Sequence, residues 1–578
     1  MKGKSGKLLL VSLVLLLIGA TSVQAVNYIQ APPLSQVINV PVGSVKSGAD
    51  EVLFIITWGA DTVPIYANGN AAVTASGSIF AQKKLRFKIV REDDFKKQVE
   101  MFIKGETPFL RCTVGMLNQA VEVLNRDSRT KPVVFYQLSW SGGDVAGDCL
   151  VVKEGINSVK DLKGKTVVLQ AYGPHLDYLT TLLKDGGLKL KDVNIKYTKD
   201  LTGTENCPAE ALLKEKGIDA VFVISADAMK LTSGGKVGKG GEGSVKGAKI
   251  LLSTKTGKRI IPDVYISRSD YFEANRSKVE SITHGLLLAE QGLRELFKNK
   301  DSQKAEYKKM ATASAKMLFD SEQAVGDVEG AYGDCETTGF AGNVKFFTDD
   351  KWPRNFNAMN EEIQTAYIGI NLISKKFPVA GAKWDYNQLK AGLTGIEDVV
   401  VPRFVQKEVA RVVEQKRATG ALETGALFTF EVYFKPNQKS FSADMYGEKF
   451  DEAIKKATTY TGAVITVEGH SDTLGYLKKK KEGAPEVVLV QQKQAAKNLS
   501  VQRAIEVRDS LIQYAKSRGI SLDSSQFSVV GHGILQPRTG MCGADPCPPK
   551  TEQEWLSNMR VVFQLFNVEA EENVFRPL

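Results

Sequence analysis

The sequence predicts an α/β protein, with a large unit of strands alternating with helices and a smaller α/β domain after it. Two observations predict the large unit. Short continuous apolar runs recur at VLFIIT (52–57), PVVFYQL (132–138), KTVVLQA (165–171), DAVFVI (219–224) and AKILLS (248–253), as strands buried on both faces require. Helical patterns lie between them, at DDFKKQVEMFIKG, VGMLNQAVEVLNRD, HLDYLTTLLKDGG and CPAEALLKEKG, which points to βαβ units and a parallel sheet. A third observation predicts the smaller domain. After RATGALETG (417–425) the order becomes β-α-β-α-β-β over about 150 residues.

Taken in order, the chain opens on MKGKSGKLLLVSLVLLLIGATSVQA. Lys2, Lys4 and Lys7 precede an apolar stretch from Leu8 to Ala20, and Val23-Gln24-Ala25 offers small residues for cleavage. This reads as a secretory signal over 1–25, with a mature chain that does not span a membrane and works outside the cytoplasm. Residues 26–50 contain APPL and VPVGSV, lack periodicity and read as an extended leader. Residues 275–330 and 360–418 look helical, and the Gly-rich stretch 233–247 reads as a surface loop, because no helix follows to make a phosphate cradle. In the smaller domain, Ser442 is expected to cap a helix running to about Thr459, and a long amphipathic segment from Glu486 to Arg518 ends at Gly519.

The 578 residues carry a formal charge of +10. Such a balance suits nucleic acid, anionic lipid or an anionic wall polymer, and export sets nucleic acid aside. Cys542 and Cys547 enclose only four residues and are the expected disulfide; the pairing of Cys112, Cys149, Cys207 and Cys335 is open, including a Cys207–Cys335 link between lobes. The cysteine spacings and four histidines do not make a zinc site, so no metal is expected.

VEGHSDTLG (467–475), LSVQRAIEVRDSLI (499–512), VVGHG (529–533) and NMRVVFQL (558–565) resemble, in that order, the blocks of OmpA-like peptidoglycan-binding domains. The resemblance covers about 426–568 and implies a grip on the diaminopimelate of the wall stem peptide. Asp472 would accept from its ammonium, Arg503 would hold its carboxylate with a planar fork, and Arg560 would assist. Two departures stand out. The insert YLKKKKEGAPEVVLVQQKQ separates Asp472 from Arg503, with Lys478–Lys481 read first as a solvated loop. The usual Asn of the family falls at Ala496 or at a shifted Asn498.

TWGADTVPIYANGN, INSVKDLKGKTVVLQAYGPHLDYL and IDAVFVISADA resemble two-lobed type II periplasmic solute-binding proteins, in the subgroup for nitrate, sulfonate, taurine and thiamine-precursor pyrimidines. That implies a solute-binding domain over 51–375, with lobe one at 51–150 and 250–375 and lobe two at 155–248. A helical connector (376–425) and a tail (569–578) complete the chain. Ligands of such sheets sit beyond the carboxyl ends of strands. Trp58, Trp140 and Tyr172 could wall an organic body. Asp61, Asp144 and Asp177 could meet an amine or hydroxyl, with Ser141, Gly143 and Gly173 at the same strand ends. The expectation is a receptor for a small organic anion or zwitterion, tethered to peptidoglycan in the periplasm, serving an ABC permease or a sensor. It is expected to have no cofactor and no catalytic pair, since no Cys-rich signature for PLP chemistry is present. The alternative is an envelope structural protein whose lobes no longer bind a small molecule.

Overall fold

The computed structural model describes residues 25–568, except 47, 49, 395, 398–401, 421, 423–425, 442 and 544. Most of the expected signal, the tail and the Ser442 cap therefore lie outside the described residues. The fold is α/β, in two lobes and a third unit. The leader carries β1 (Tyr28–Ile29) and a helical turn, α1 (Leu34–Val37). Lobe one begins with β2 (Glu51–Ile55), β3 (Phe87–Arg91) and β4 (Phe109–Thr113), then α2 (Val114–Leu124) and β5 (Pro132–Ser141). Lobe two holds β6 (Asp148–Val152), β7 (Thr166–Gln170), α3 (His175–Asp185), β8 (Asn194–Thr198), β9 (Ala220–Ile224) and β10 (Lys249–Ser253). The chain returns to lobe one with β11 (Pro262–Arg268), β12 (Cys335–Thr337), α4 (Phe356–Gly369) and β13 (Ala380–Gly381).

The expected parallel sheets are mixed. Lobe two has the order β1-β8-β7-β9-β6-β10, and lobe one β12-β5-β11-β4, with β13 on β5 and a separate β2-β3 pair. β6 runs antiparallel to β9 and β10, and β11 antiparallel to β4 and β5. The chain crosses between lobes at 142–147 and 254–261, so the strands flanking each crossing belong to different sheets. Lobe two thus runs from Asp148 to Ser253, wider than the expected 155–248, because β6 and β10 complete its sheet.

The leader is a strap as well as an extended segment. β1 pairs with β8, and the Glu215 carboxylate accepts from Val26 N (3.2 Å) and from the Tyr28 hydroxyl (2.8 Å). Farther on, Arg126 donates to Ile38 O (3.1 Å), and Gly43 N donates to Ile103 O (3.1 Å), both in lobe one. Cleavage after Ala25 would turn the Val26 amide into an ammonium facing Glu215, a stronger charge-assisted bond. In the protein beginning at Val26, Glu215→Gln is expected to speed amide exchange over 26–46 by about tenfold, read by hydrogen–deuterium exchange with mass spectrometry.

The expected connector is divided. Its first part joins lobe one through β13 and through Trp384, whose Nε1 donates to Phe135 O (2.8 Å). Its second part, α5 (Gln406–Ala418), buries Val409, Val412 and Val413 against Val464, Phe566 and Val568 of the third unit. That unit has β14 (Ala426–Tyr433), α6 (Gly447–Thr459), β15 (Val464–His470), α7 (Leu474–Lys481), α8 (Glu486–Ser517) and β16 (Phe527–Gly533). A two-strand loop stapled by Cys542–Cys547 (Cα–Cα 5.6 Å), then α9 (Glu552–Ser557) and β17 (Arg560–Phe566), follow. The sheet order is β14-β17-β15-β16. Cys112, Cys149, Cys207 and Cys335 are buried thiols, so no Cys207–Cys335 bond joins the lobes.

One apolar cluster runs through both lobes and the third unit, taking in Leu117 of α2, Leu179 of α3 and Ile465 of β15. Charges reinforce the junction. Glu362 of α4 meets Arg354 (2.9 Å), Lys184 of lobe two (3.1 Å) and Lys455 of the third unit (3.1 Å). Burial opposes its charge, but these three cations hold its carboxyl well below the usual range. Asp185 pairs with Lys456 and accepts from the Tyr460 hydroxyl (2.5 Å). Gly462 N donates to Thr256 O (3.1 Å), so the third unit also bonds the second crossing.

Candidate functional site

Between the lobes, the N-terminal ends of α2 and α3 face each other. The first N–H groups of a helix have no intrahelical partner, and the end carries positive potential. Thr113 caps α2 by accepting from Met116 N (3.0 Å). Asp177, in the first turn of α3, reaches across to Gly115. A Cβ at Gly115 would stand 2.3 Å from its Cγ, so only glycine admits the carboxyl there. Asp177 is 2% exposed, and neither oxygen makes a side-chain hydrogen bond among the described residues. Burial pushes its carboxyl up to about 8; nearby Arg354 opposes this and Asp148 adds to it. His175, on the same turn, joins Asp148 through Nε2 (2.7 Å), and its Nδ1 makes no hydrogen bond among the described residues. The lobes are joined here by Gln119 Nε2 donating to Gly173 O (3.1 Å) and by Ser225 Oγ donating to Asp334 (2.5 Å).

The structure places the expected solute residues differently. Asp61 is fully buried and forked by Arg111 (2.6 and 3.0 Å), which also meets Asp263 (2.8 Å). It is a partner in a core ion cluster rather than a group offered to a solute. Burial raises both carboxyls, while the two acids together keep Arg111 charged against its own burial. Trp140 is 3% exposed and packs edge-on against Phe346 and Trp352, so it is a core residue. Trp58 is half-buried on the lobe-one core. The Ser141 hydroxyl is spent on Asp148 (2.6 Å) and Thr254 (2.8 Å). Gly143 sits against Gly333 O and Cys335 O, and its carbonyl accepts from Lys258 (2.8 Å), which locks one crossing to the other. Asp144 is exposed on the first crossing. Tyr172 has a left-handed backbone (φ 58°), and its hydroxyl donates to Pro32 O (2.8 Å), holding the strap. Of the expected residues, Gly173, beside Gln119, and Asp177 lie at the helix ends where His175 also sits.

In the third unit, β15 ends at His470 and leads to Asp472, which is half-buried and accepts from Leu474 N (2.8 Å). Arg503 of α8 is buried. It donates to Gln438 O (2.9 Å), Lys435 O (3.2 Å) and His470 O (3.4 Å), and its guanidinium lies 5.1 Å from the Phe434 ring centre. Three carbonyls fix the fork, and the side chain is 0% exposed. Burial lowers its pKa to about 10, and the charge of Asp472 opposes the shift. Ser471 donates to Ala496 O (2.9 Å), which ties the turn after β15 to α8. Arg560 flanks His470 across the sheet, 3.5 Å from Glu431, and its Nη1 makes no hydrogen bond among the described residues. Sequence spacing missed the cluster of Glu468, His470 and His532, which alternation on β15 and the neighbouring β16 bring together. Arg417 on Glu468 (2.8 Å) and the nearby charge of Arg560 suit it to an ionic network rather than to a cation.

A family model described as NMT1/THI5 like matches residues 144–299. The chain finds no match among curated proteins. Among solved structures it is similar to the periplasmic aliphatic sulphonate binding protein SsuA from Escherichia coli, at 15% identity, covering 61% of this chain and 96% of that one, with a TM-score of 0.38. It is similar to the periplasmic nitrate-binding protein NrtA from Synechocystis PCC 6803, at 12% identity, 58% and 83% coverage and a TM-score of 0.37. It is also similar to the desulfurization enzyme DSZB, at 15% identity, 59% and 96% coverage and a TM-score of 0.35.

Proposed function

We propose that this protein is a two-lobed periplasmic receptor for a small zwitterion, tethered to peptidoglycan by its third unit. The observation that carries the solute reading is Asp177, a buried carboxyl without a hydrogen-bonding side chain, set where two helix N-termini converge. Such a site offers an acid to an amine and backbone N–H groups to an anion. A binding role, with no reaction, fits an Asp177 and His175 that face no nucleophile in the site described. The two-lobed form supports delivery to an ABC permease or a sensor. Asp472 and Arg503 on one edge of the third unit support the tether.

Asp177 also makes a pH prediction. Unfolded, its carboxyl ionises near pH 4; folded, burial holds the proton to about 8. The folded state thus keeps a proton that the unfolded state releases, and stability falls as pH rises through that window. Asp177→Asn should raise stability at pH 7.5 by a few kcal/mol, of order ~3, and flatten its pH dependence, as read by urea unfolding from pH 4 to 9.

The test of the receptor is native mass spectrometry of the periplasmic protein, with thermal shift against amino acids, sulfonates and inorganic oxyanions. A retained zwitterion whose binding Asp177→Asn removes supports the reading. The continuous apolar core, the leader strap and the docked third unit favour a second one, in which the lobes stay shut and the surface engages protein. No bound mass and no thermal shift would decide for that alternative.

A further inference from the structure

The lysine-rich insert after Asp472 is a helix rather than a solvated loop. α7 begins two residues beyond Asp472 and carries Lys478–Lys481. It lines an open groove of about 500 Å³ with Leu474, Leu477 and, from the far wall, Pro548 and Trp555. Leu474 is 57% exposed, which leaves an apolar floor facing solvent. Lys480 reaches Asp545 of the stapled loop (3.3 Å), so the disulfide holds the far wall against α7. Lys493 and Lys480 lie 5.0 and 5.8 Å from the centre of the Tyr476 ring, which stiffens the lysine side. Lys478 and Lys481 make no ion pair among the described residues.

We propose that this groove takes the saccharide end of the same wall fragment whose stem peptide Asp472 and Arg503 hold. The proposal rests on that tether reading. An amino sugar presents an apolar ring face, which suits Trp555 and the leucine floor. The carboxylates along the stem suit a lysine rim, whose attraction reaches about a Debye length, ~8 Å, in physiological salt. The groove starts two residues from Asp472, so one ligand spans both parts. Such a two-part contact gains affinity from the second part at little added entropic cost.

The test compares the full chain's affinity for a disaccharide–tetrapeptide and for the free tetrapeptide, by calorimetry. The disaccharide form is expected to bind about tenfold more tightly, a gain of ~1.4 kcal/mol. Trp555→Ala should erase that ratio and leave the tetrapeptide affinity unchanged, whereas Lys478→Glu/Lys481→Glu, facing the stem carboxylates, should weaken both ligands, with circular dichroism confirming the fold. Asp472→Ala should weaken both ligands. Equal affinities in the unaltered protein overturn the groove and leave the clamp standing. No binding of either ligand overturns both. Binding to phosphatidylglycerol-rich vesicles that the lysine variant loses, with equal muropeptide affinities, assigns the groove to lipid and overturns the proposal.

Discussion

Arg111→Ala should destabilise lobe one by about 4 kcal/mol and lower its melting temperature by about 10 °C. Arg111 is fully buried between Asp61 and Asp263, and Ser139 donates to the second acid (2.8 Å). Removing the cation leaves two buried carboxyls whose desolvation only the Ser139 hydroxyl and the Ile56 N–H partly offset. They would then take up protons, so the loss should be larger at pH 8 than at pH 5, where both can be neutral. The variant Arg111→Met/Asp61→Asn/Asp263→Asn should recover most of the loss, because a neutral cluster of similar volume costs little to bury. Calorimetric scans of the three proteins at both pH values check this. A single alanine variant that melts with the parent at pH 8 would remove the cluster from the account of lobe one.

Gly469→Ala is expected to cost about 3 kcal/mol and to weaken stem-peptide binding by about tenfold or more. Gly469 lies in VEGHSD, where β15 runs under α8. A Cβ there would stand 1.9 Å from Ser500 O, a backbone atom, so the helix itself must move. That helix carries Arg503 three residues on, and the strand leads into Asp472. The substitution would therefore separate the two arms of the clamp while removing neither. Val507→Ala, one turn farther along α8 and also fully buried, is the control: it should cost ~1–2 kcal/mol of stability and leave binding nearly intact. Equal loss of binding in both would mean that stability, and not the approach of strand and helix, sets the clamp.

Much of the architecture was legible in the chain. The runs PVVFYQL, KTVVLQA and DAVFVI became β5, β7 and β9, because a strand buried on both faces leaves an unbroken apolar signature, and AKILLS became the half-buried edge strand β10. The segment ending at Gly519 became α8, and Gly519 takes the left-handed turn (φ 78°) that stops it. Cys542 and Cys547 paired, as their short loop suggested. What failed was local in sequence and long-range in space. β1 is two residues long and has no period to read; its carboxylate, Glu215, is 187 residues from Tyr28. Asp61 looked like a group at a strand mouth, since nothing near it announces Arg111 fifty residues on.

The sequence by itself determined the strands, the main helices, the short disulfide, and the order of blocks that sets an acid at the end of β15 and an arginine on α8. Those are properties of neighbours along the chain, carried by periodicity, caps and spacing. Only the tertiary structure decided which acids are free to act. Asp61 is cancelled by a guanidinium, while Asp177, across the lobes from Gly115, has no hydrogen-bonding side chain among the described residues. Charge compensation depends on distance in space, and the cost of a buried charge is set by whatever the fold brings within a few ångströms of it.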